Sequence, residues 1–274
     1  MALKNWLAMH SQAPEGEVAW ESFHENSKTR RHEALDARPW QAAPGNPGGP
    51  LSFEQYPVVA LPHVLAPLEM PLSQALQQRA TPAHLERRQL RLEELATLLY
   101  SAYGVTRDSE DSGLQRPLRT VPSAGALHPL ELFFHTRSVE GLPGGLYHYN
   151  PVEHELRRLR DGDLSAKLAA GLAPKQLAVT SSVMLFIVGL FERSTARYGD
   201  RGYRFVLLEA GHVAQNVALA ATGLGLGCVP VGGYVDRSVD ELLGLDGLLQ
   251  STVYMAGIGG LPTAPEQAPR EEKA

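Results

Sequence analysis

Between positions 210 and 235 the chain carries no Asp, Glu, Lys or Arg. A stretch of that length has to leave water, either as a membrane span or as buried elements of a globular core. A spanning helix wants about 20 predominantly apolar residues. Here Gln215, Asn216, Thr222, Pro230 and repeated glycines interrupt the run, and its apolar residues are mostly small alanines. The pattern instead predicts a buried helix over 205–222, stopped by Gly223, followed by a buried strand over 229–235.

The remaining elements are read around that pair. Residues 72–80 and 92–103 have helical spacing, the second with Leu92, Leu95, Leu99 and Ala102 on one face and Gly104 as its stop. Residues 130–136 and 183–191 are strand-like, and 252–258 is a further strand candidate. Two β-like runs around Asn150-Pro151 within 145–160 predict a hairpin, whereas 163–178 reads as a helix and 105–118 as a loop. Alternating helices and strands with a hairpin predict an α+β fold whose mixed sheet is flanked by helices. Residues 1–70 read as an irregular extension, because 39–50 and the prolines at 57, 62 and 67 cannot propagate helix or ladder. The core is then expected at 71–262, with 263–274 as a polar tail.

Composition removes several classes of function. The net charge of -5 offers no phosphate-neutralising surface, so nucleic acid is not an expected partner. The single cysteine, Cys228, excludes an internal disulfide and a cysteine-rich metal site. Residues 1–13 lack the apolar core and cleavage site of a secretory signal. A cytoplasmic protein without a membrane span is expected. Generic motifs add little. The glycines at 223, 225 and 227 follow a helix and precede a strand, the reverse of a dinucleotide fingerprint. Glu209 and His212 have the Glu-x-x-His spacing of di-iron bundles, but the second such pair, Glu21 and His24, lies in the extension. No metal is expected, and Glu209-His212 reads as a hydrogen-bonded helix surface. Ser123 and His128 lack a nucleophile elbow.

Three segments carry more information. RTVPSAGALHPLEL at 119–132, the long 198–233 segment from Tyr198 to its closing Gly232-Gly233, and SFHENSKTRRHE at 22–33 occur in one order. Together they resemble the SagB-type dehydrogenases, azoline oxidases of the FMN-dependent nitroreductase superfamily. The resemblance implies a homodimer with FMN at the subunit interface, a thiazoline- or oxazoline-bearing peptide as substrate, and a cyclodehydratase as partner. It also implies flavin contacts from Pro122, Ser123, Ala124 and Gly125, and from Gly232 and Gly233, where small residues let backbone donors approach a planar ring. The phosphate-binding segment of nitroreductases is reduced here to Arg79, so Arg119, Arg204 and Arg270 are further candidate cations. The family's Lys-Tyr pair corresponds to Arg197-Tyr198, in a loop before the long helix. Arginine stays charged, which leaves Tyr198 to move a proton and Arg197 to orient substrate or stabilise negative charge. Two other activities fit the same resemblance: NAD(P)H-dependent reduction of nitro or quinone compounds, and a catalytically inactive partner in a biosynthetic complex.

Overall fold

A computed structural model describes residues 19–28, 51–108 and 116–262. Its centre is a seven-stranded sheet in the order β1-β6-β5-β4-β7-β9-β8. The strands are β1 (Val58–Ala60), β4 (Leu130–Thr136), β5 (Gly145–Asn150), β6 (Glu155–Asp161), β7 (Val183–Leu190), β8 (Leu226–Val231) and β9 (Gln250–Gly260). A separate short ladder joins β2 (Val105–Arg107) to β3 (Leu118–Arg119). Every strand pairing in the main sheet is antiparallel, which corrects the expected mixed sheet. Hairpins and helical returns deliver each strand beside one running the opposite way, so no parallel crossover forms.

The central strands β4 and β7 are buried at every residue. Both faces of the sheet are covered, which explains why these strands read as continuous apolar runs. On one face Leu132, Phe134, Leu185 and Ile187 pack against α3 (Leu92–Tyr103) and α7 (Arg201–Gly223). On the other, Phe133, Met184, Phe186 and Val188 pack with residues of α4 (Ser165–Gly171), α5 (Leu177–Thr180) and α8 (Asp236–Leu243). The remaining helices are α1 (Ala19–Asn26), α2 (Leu72–Gln78) and α6 (Glu192–Tyr198). Val206, Ala210, Val213 and Val217 form the apolar face of α7, and all four are buried in this chain's own core. Small side chains at that spacing bring the helix close to the sheet, and its exposed face carries Leu207 and Leu208 instead.

Several local expectations change for identifiable reasons. Part of the stretch read as an irregular extension forms β1, which closes one sheet edge against β6. The helix expected over 163–178 divides into α4 and α5, because Pro174 cannot continue the ladder and restricts Ala173 before it. Arg197 and Tyr198 end α6 and are not in a loop. Gly199, with φ 56°, turns the chain from α6 into α7 within two residues. Strand β8 ends at Val231, so the glycine pair follows it. No helix among the described residues is long and apolar enough to cross a membrane.

Candidate functional site

The segment 122–128 joins β3 to the start of β4, and its backbone is unusual. Gly125, Ala126 and His128 have φ of 64°, 51° and 47°. Two of these are not glycine, and left-handed backbone at such residues costs energy that the surroundings must supply. Local hydrogen bonds hold the shape. The His128 N–H donates to Ser123 Oγ at 2.9 Å, and His128 Nε2 lies 2.9 Å from the Pro117 carbonyl. Burial and then the Arg119 charge push the His128 imidazole down to about 3, with Arg116 and Arg193 acting in the same direction.

Helix α6 is fastened against this turn. Arg193 donates to Glu131 Oε1 at 2.7 Å and to the His128 carbonyl at 3.3 Å. Glu131 also meets His148 Nε2 at 2.7 Å and accepts the Leu51 N–H at 3.1 Å. Burial alone would raise the Glu131 carboxyl, but the hydrogen bond and charge of His148, with Arg193, hold it below its ordinary value. One helical turn beyond Arg193 come Arg197 and Tyr198. A Cβ at Gly125 would lie 2.6 Å from Tyr198 Oη and 3.4 Å from an Arg197 guanidinium nitrogen. The absent side chain at 125 is what admits the pair. The Tyr198 ring packs edge-on against Phe205 at 5.0 Å.

Beside the turn lies a cavity of about 290 Å³, lined by Pro122, Ser123, Ala124, Phe205, Leu208, Glu209 and His212. Glu209 is only 2% exposed, which corrects its reading as part of a helix surface. Tyr103 donates to its Oε1 at 2.5 Å, and the Arg119 guanidinium stacks 4.1 Å from the Tyr103 ring centre. Burial pushes the Glu209 carboxyl up to about 7, although Ser123, Tyr103 and Arg119 oppose the shift. The signal that could have found it was a carboxylate among alanines and valines on the longest apolar helix. The Glu131–Arg193–His148 cluster was also missed, although a glutamate inside the apolar run LELFFHT demands a buried partner.

The candidate residues fall into two groups. Arg119, the 122–125 turn, Arg197 and Tyr198 gather where β4 begins. Arg79, which caps α2, acts electrostatically on the buried Cys228 of β8, and Gly232 and Gly233 follow that same strand. The Gly233 carbonyl accepts the Ala173 N–H at 3.0 Å. Strands β7 and β9 separate β8 from β4, a distance of roughly 14 Å at the usual strand spacing. Arg204 is directed elsewhere, donating to Ser27 Oγ at 2.8 Å and to the His24 carbonyl at 2.5 Å. Arg270 lies outside the described residues. The described residues hold no cluster of three or more metal-ligating side chains.

Residues 76–260 match the nitroreductase family, and the chain belongs to it. The nitroreductase-family protein MJ1384 of Methanocaldococcus jannaschii is 43% identical over 154 residues, covering 56% of this chain and 74% of that protein. The microcin B17-processing protein McbC of Escherichia coli is 27% identical over 203 residues, 71% of this chain and 72% of that one. Among solved structures, a nitroreductase-type protein from Anabaena variabilis superimposes with a TM-score of 0.71 at 23% identity. That match covers 92% of this chain and 49% of the Anabaena chain, so the present chain spans about half its length. The E. coli microcin synthetase McbBCD complex with truncated pro-MccB17 bound gives 0.58 at 22% identity, covering 93% and 86%. Both structures share this α+β fold, an antiparallel sheet flanked by helices.

Proposed function

We propose that the chain is an FMN-dependent dehydrogenase of thiazoline or oxazoline rings in a modified peptide. The observation that carries this reading is the close approach of Tyr198 and Arg197 to Gly125, which sets the candidate catalytic residues against the small-residue turn. The turn's surroundings fit an anionic, planar, acceptor-rich cofactor. Arg119 Nε, Thr120 Oγ1, His128 Nδ1 and Arg197 Nε are buried without hydrogen-bond partners among the described residues. Bound FMN would take a hydride from the ring and be reoxidised by oxygen. Tyr198, acting as its phenolate, would take up the proton that leaves carbon and end neutral, and Arg197 would steady the negative charge present before that transfer. Pro122, Ser123, Ala124 and Gly125 would present backbone to the flavin, with Arg119 as a nearby cation.

The second group, Arg79, Gly232 and Gly233, would complete a flavin site only if supplied by another copy, since β8 is remote from the turn. A homodimer with two composite sites follows, and the exposed Leu72, Leu76, Leu207 and Leu208 on α2 and α7 offer apolar surface for it. The likeness to McbC and to a peptide-bound synthetase complex supports a peptide substrate and a cyclodehydratase partner. The higher identity to MJ1384 supports a second reading, NAD(P)H-dependent reduction of nitro or quinone compounds. No membrane or nucleic-acid partner is proposed, and the expected compartment is the cytoplasm.

The test is reconstitution with FMN, followed by incubation with a thiazoline-containing peptide under air or with NADH and a nitroarene. Loss of two hydrogens from the peptide supports the first reading, and NADH oxidation the second. Absence of flavin absorbance after reconstitution with excess FMN would overturn both.

A further inference from the structure

Residues 19–28 do not line the cavity beside the turn, yet they are fastened to the helix that follows Tyr198. No side chain within α1 is buried, and a helix this short does not persist alone in water, so its shape depends on what it docks against. The dock is the first turn of α7. Arg204 donates from Nε to Ser27 Oγ at 2.8 Å and from Nη2 to the His24 carbonyl, and Arg201 Nη1 donates to the Ser27 carbonyl at 3.3 Å. Ser27 itself is only 3% exposed. Phe23 anchors the apolar side, its ring edge-on to Tyr203 at 5.4 Å with the Arg204 guanidinium 5.6 Å from its centre. Charge explains the pairing. Arginines in the first turn of a helix oppose its dipole, and α7 has no acid in that turn to offset them. The C-terminal carbonyls of α1 supply the negative end.

We propose that residues 19–28 are a clasp that positions Tyr198, with Arg204 and Ser27 as its lock. Two routes of contact lead from the dock toward the phenol. Arg201, held by the Ser27 carbonyl, places its guanidinium 6.0 Å from the Phe205 ring centre, and Phe205 packs edge-on against Tyr198 at 5.0 Å. Tyr203, held by Phe23, packs 5.0 Å from Phe191, the residue before α6. Between the routes sits Gly202, where a Cβ would come 2.7 Å from the Ser194 backbone, so α6 and α7 touch too closely to slide independently. Movement of the first turn of α7 therefore reaches the phenol that faces Gly125. Phe205 also lines the cavity beside the turn, so the same clasp sets that wall. Without α1, Arg201 and Arg204 are left as opposed charges at a helix start, which favours fraying of the turn that supports Phe205. The catalytic consequence rests on the flavin reading; the positioning does not.

The first measurement uses full-length, flavin-free protein labelled with 3-fluorotyrosine. Among its nine tyrosines, Tyr198 and Tyr203 are identified by the fluorine resonance that disappears when each is replaced by phenylalanine. Ser27→Ala, which removes the hydroxyl acceptor, and Phe23→Ala should move both resonances. Arg204→Lys should move them as Arg204→Ala does, because lysine keeps the charge but cannot donate from two fixed nitrogens. Trp20→Ala, on the exposed side of α1, should move neither. A Tyr203 resonance that shifts while Tyr198 stays in place overturns the proposal. So does a Tyr203 resonance indifferent to every lock variant, since α1 would then not be docked. The second measurement is turnover of the FMN-loaded protein with the thiazoline peptide. Ser27→Ala should lower kcat roughly 10- to 100-fold with flavin content unchanged, the scale expected of a misplaced group. In a Tyr198→Phe background it should lower kcat no further, and a second loss there refutes positioning through Tyr198. A wild type that binds no flavin, or turns over no peptide, would instead sink the functional reading, with the fluorine spectra still deciding the clasp.

Discussion

Replacing Gly125 by alanine probes the one contact on which the functional reading depends. Two separable costs follow from the structure. The residue has φ 64°, a left-handed conformation that costs an L-side chain roughly 1–2 kcal/mol. The new Cβ would also stand 2.6 Å from Tyr198 Oη and must push the ring off its edge-on contact with Phe205. Losing that aromatic contact adds about 0.5–1.5 kcal/mol. Gly125→Ala should therefore cost about 1.5–3.5 kcal/mol in urea denaturation, summing the backbone and ring terms. In a Tyr198→Phe background the colliding oxygen is gone and only the backbone term remains. A double-mutant cycle over the four proteins should return a coupling of about 1 kcal/mol. Turnover should behave the same way, with Gly125→Ala adding little to a loss already caused by Tyr198→Phe. A coupling below about 0.3 kcal/mol would refute the reasoning, because independent sites add within that range. Tyr198 would then not press on the turn in solution.

Three further outcomes are expected. Tyr198→Phe should lower peptide dehydrogenation by about 10² to 10⁴ with FMN content unchanged, the usual worth of an acid–base group, while Arg197→Lys keeps or raises activity; wild-type turnover in the phenylalanine variant would reduce Tyr198 to a packing residue. Arg193→Ala should cost about 3–5 kcal/mol in urea, since it strands the buried Glu131 beside His148, and a loss under about 1 kcal/mol would match an exposed pair instead. Because Glu131 is held below its ordinary 4.5, its tie should contribute fully above that pH and fade only as acid reaches its lower folded value. Light scattering should give twice the 29.8 kDa chain mass with FMN bound, and a flavin-loaded monomer would contradict the composite site.

Much of the fold was legible because its signals are periodic and local. The spans of α3 and β4 were read to the residue, and α7 within four residues at its start and one at its end. The hairpin was announced by Asn150-Pro151. Helix α6 was not legible, because ERSTARY has no apolar stripe and is held by one arginine reaching a glutamate 62 positions away. Helix α8 carried a stripe, Val239, Leu242 and Leu243, too short to stand out. The 122–125 turn and the Arg197-Tyr198 pair came from family resemblance. Their contact depends on how α6 docks, which no local pattern encodes.

The charges around the turn explain why these pieces belong together. Arg119, Arg193 and Arg197 converge there, and burial together with the charges of Arg119, Arg116 and Arg193 holds the His128 imidazole well below its ordinary value. Two buried carboxyls oppose them. Glu131 is committed, held ionised by Arg193 and His148 and serving to fasten α6. Glu209 is not, because burial outweighs Ser123, Tyr103 and Arg119 and pushes its carboxyl up to about 7. The positive excess at the turn therefore varies with one proton on Glu209, within reach of the cavity lined by Ser123. An anionic ligand arriving there would complete the charge balance that the protein leaves open. That ligand would raise the cost of ionising Glu209, so binding and proton uptake are coupled in the same direction, each favouring the other.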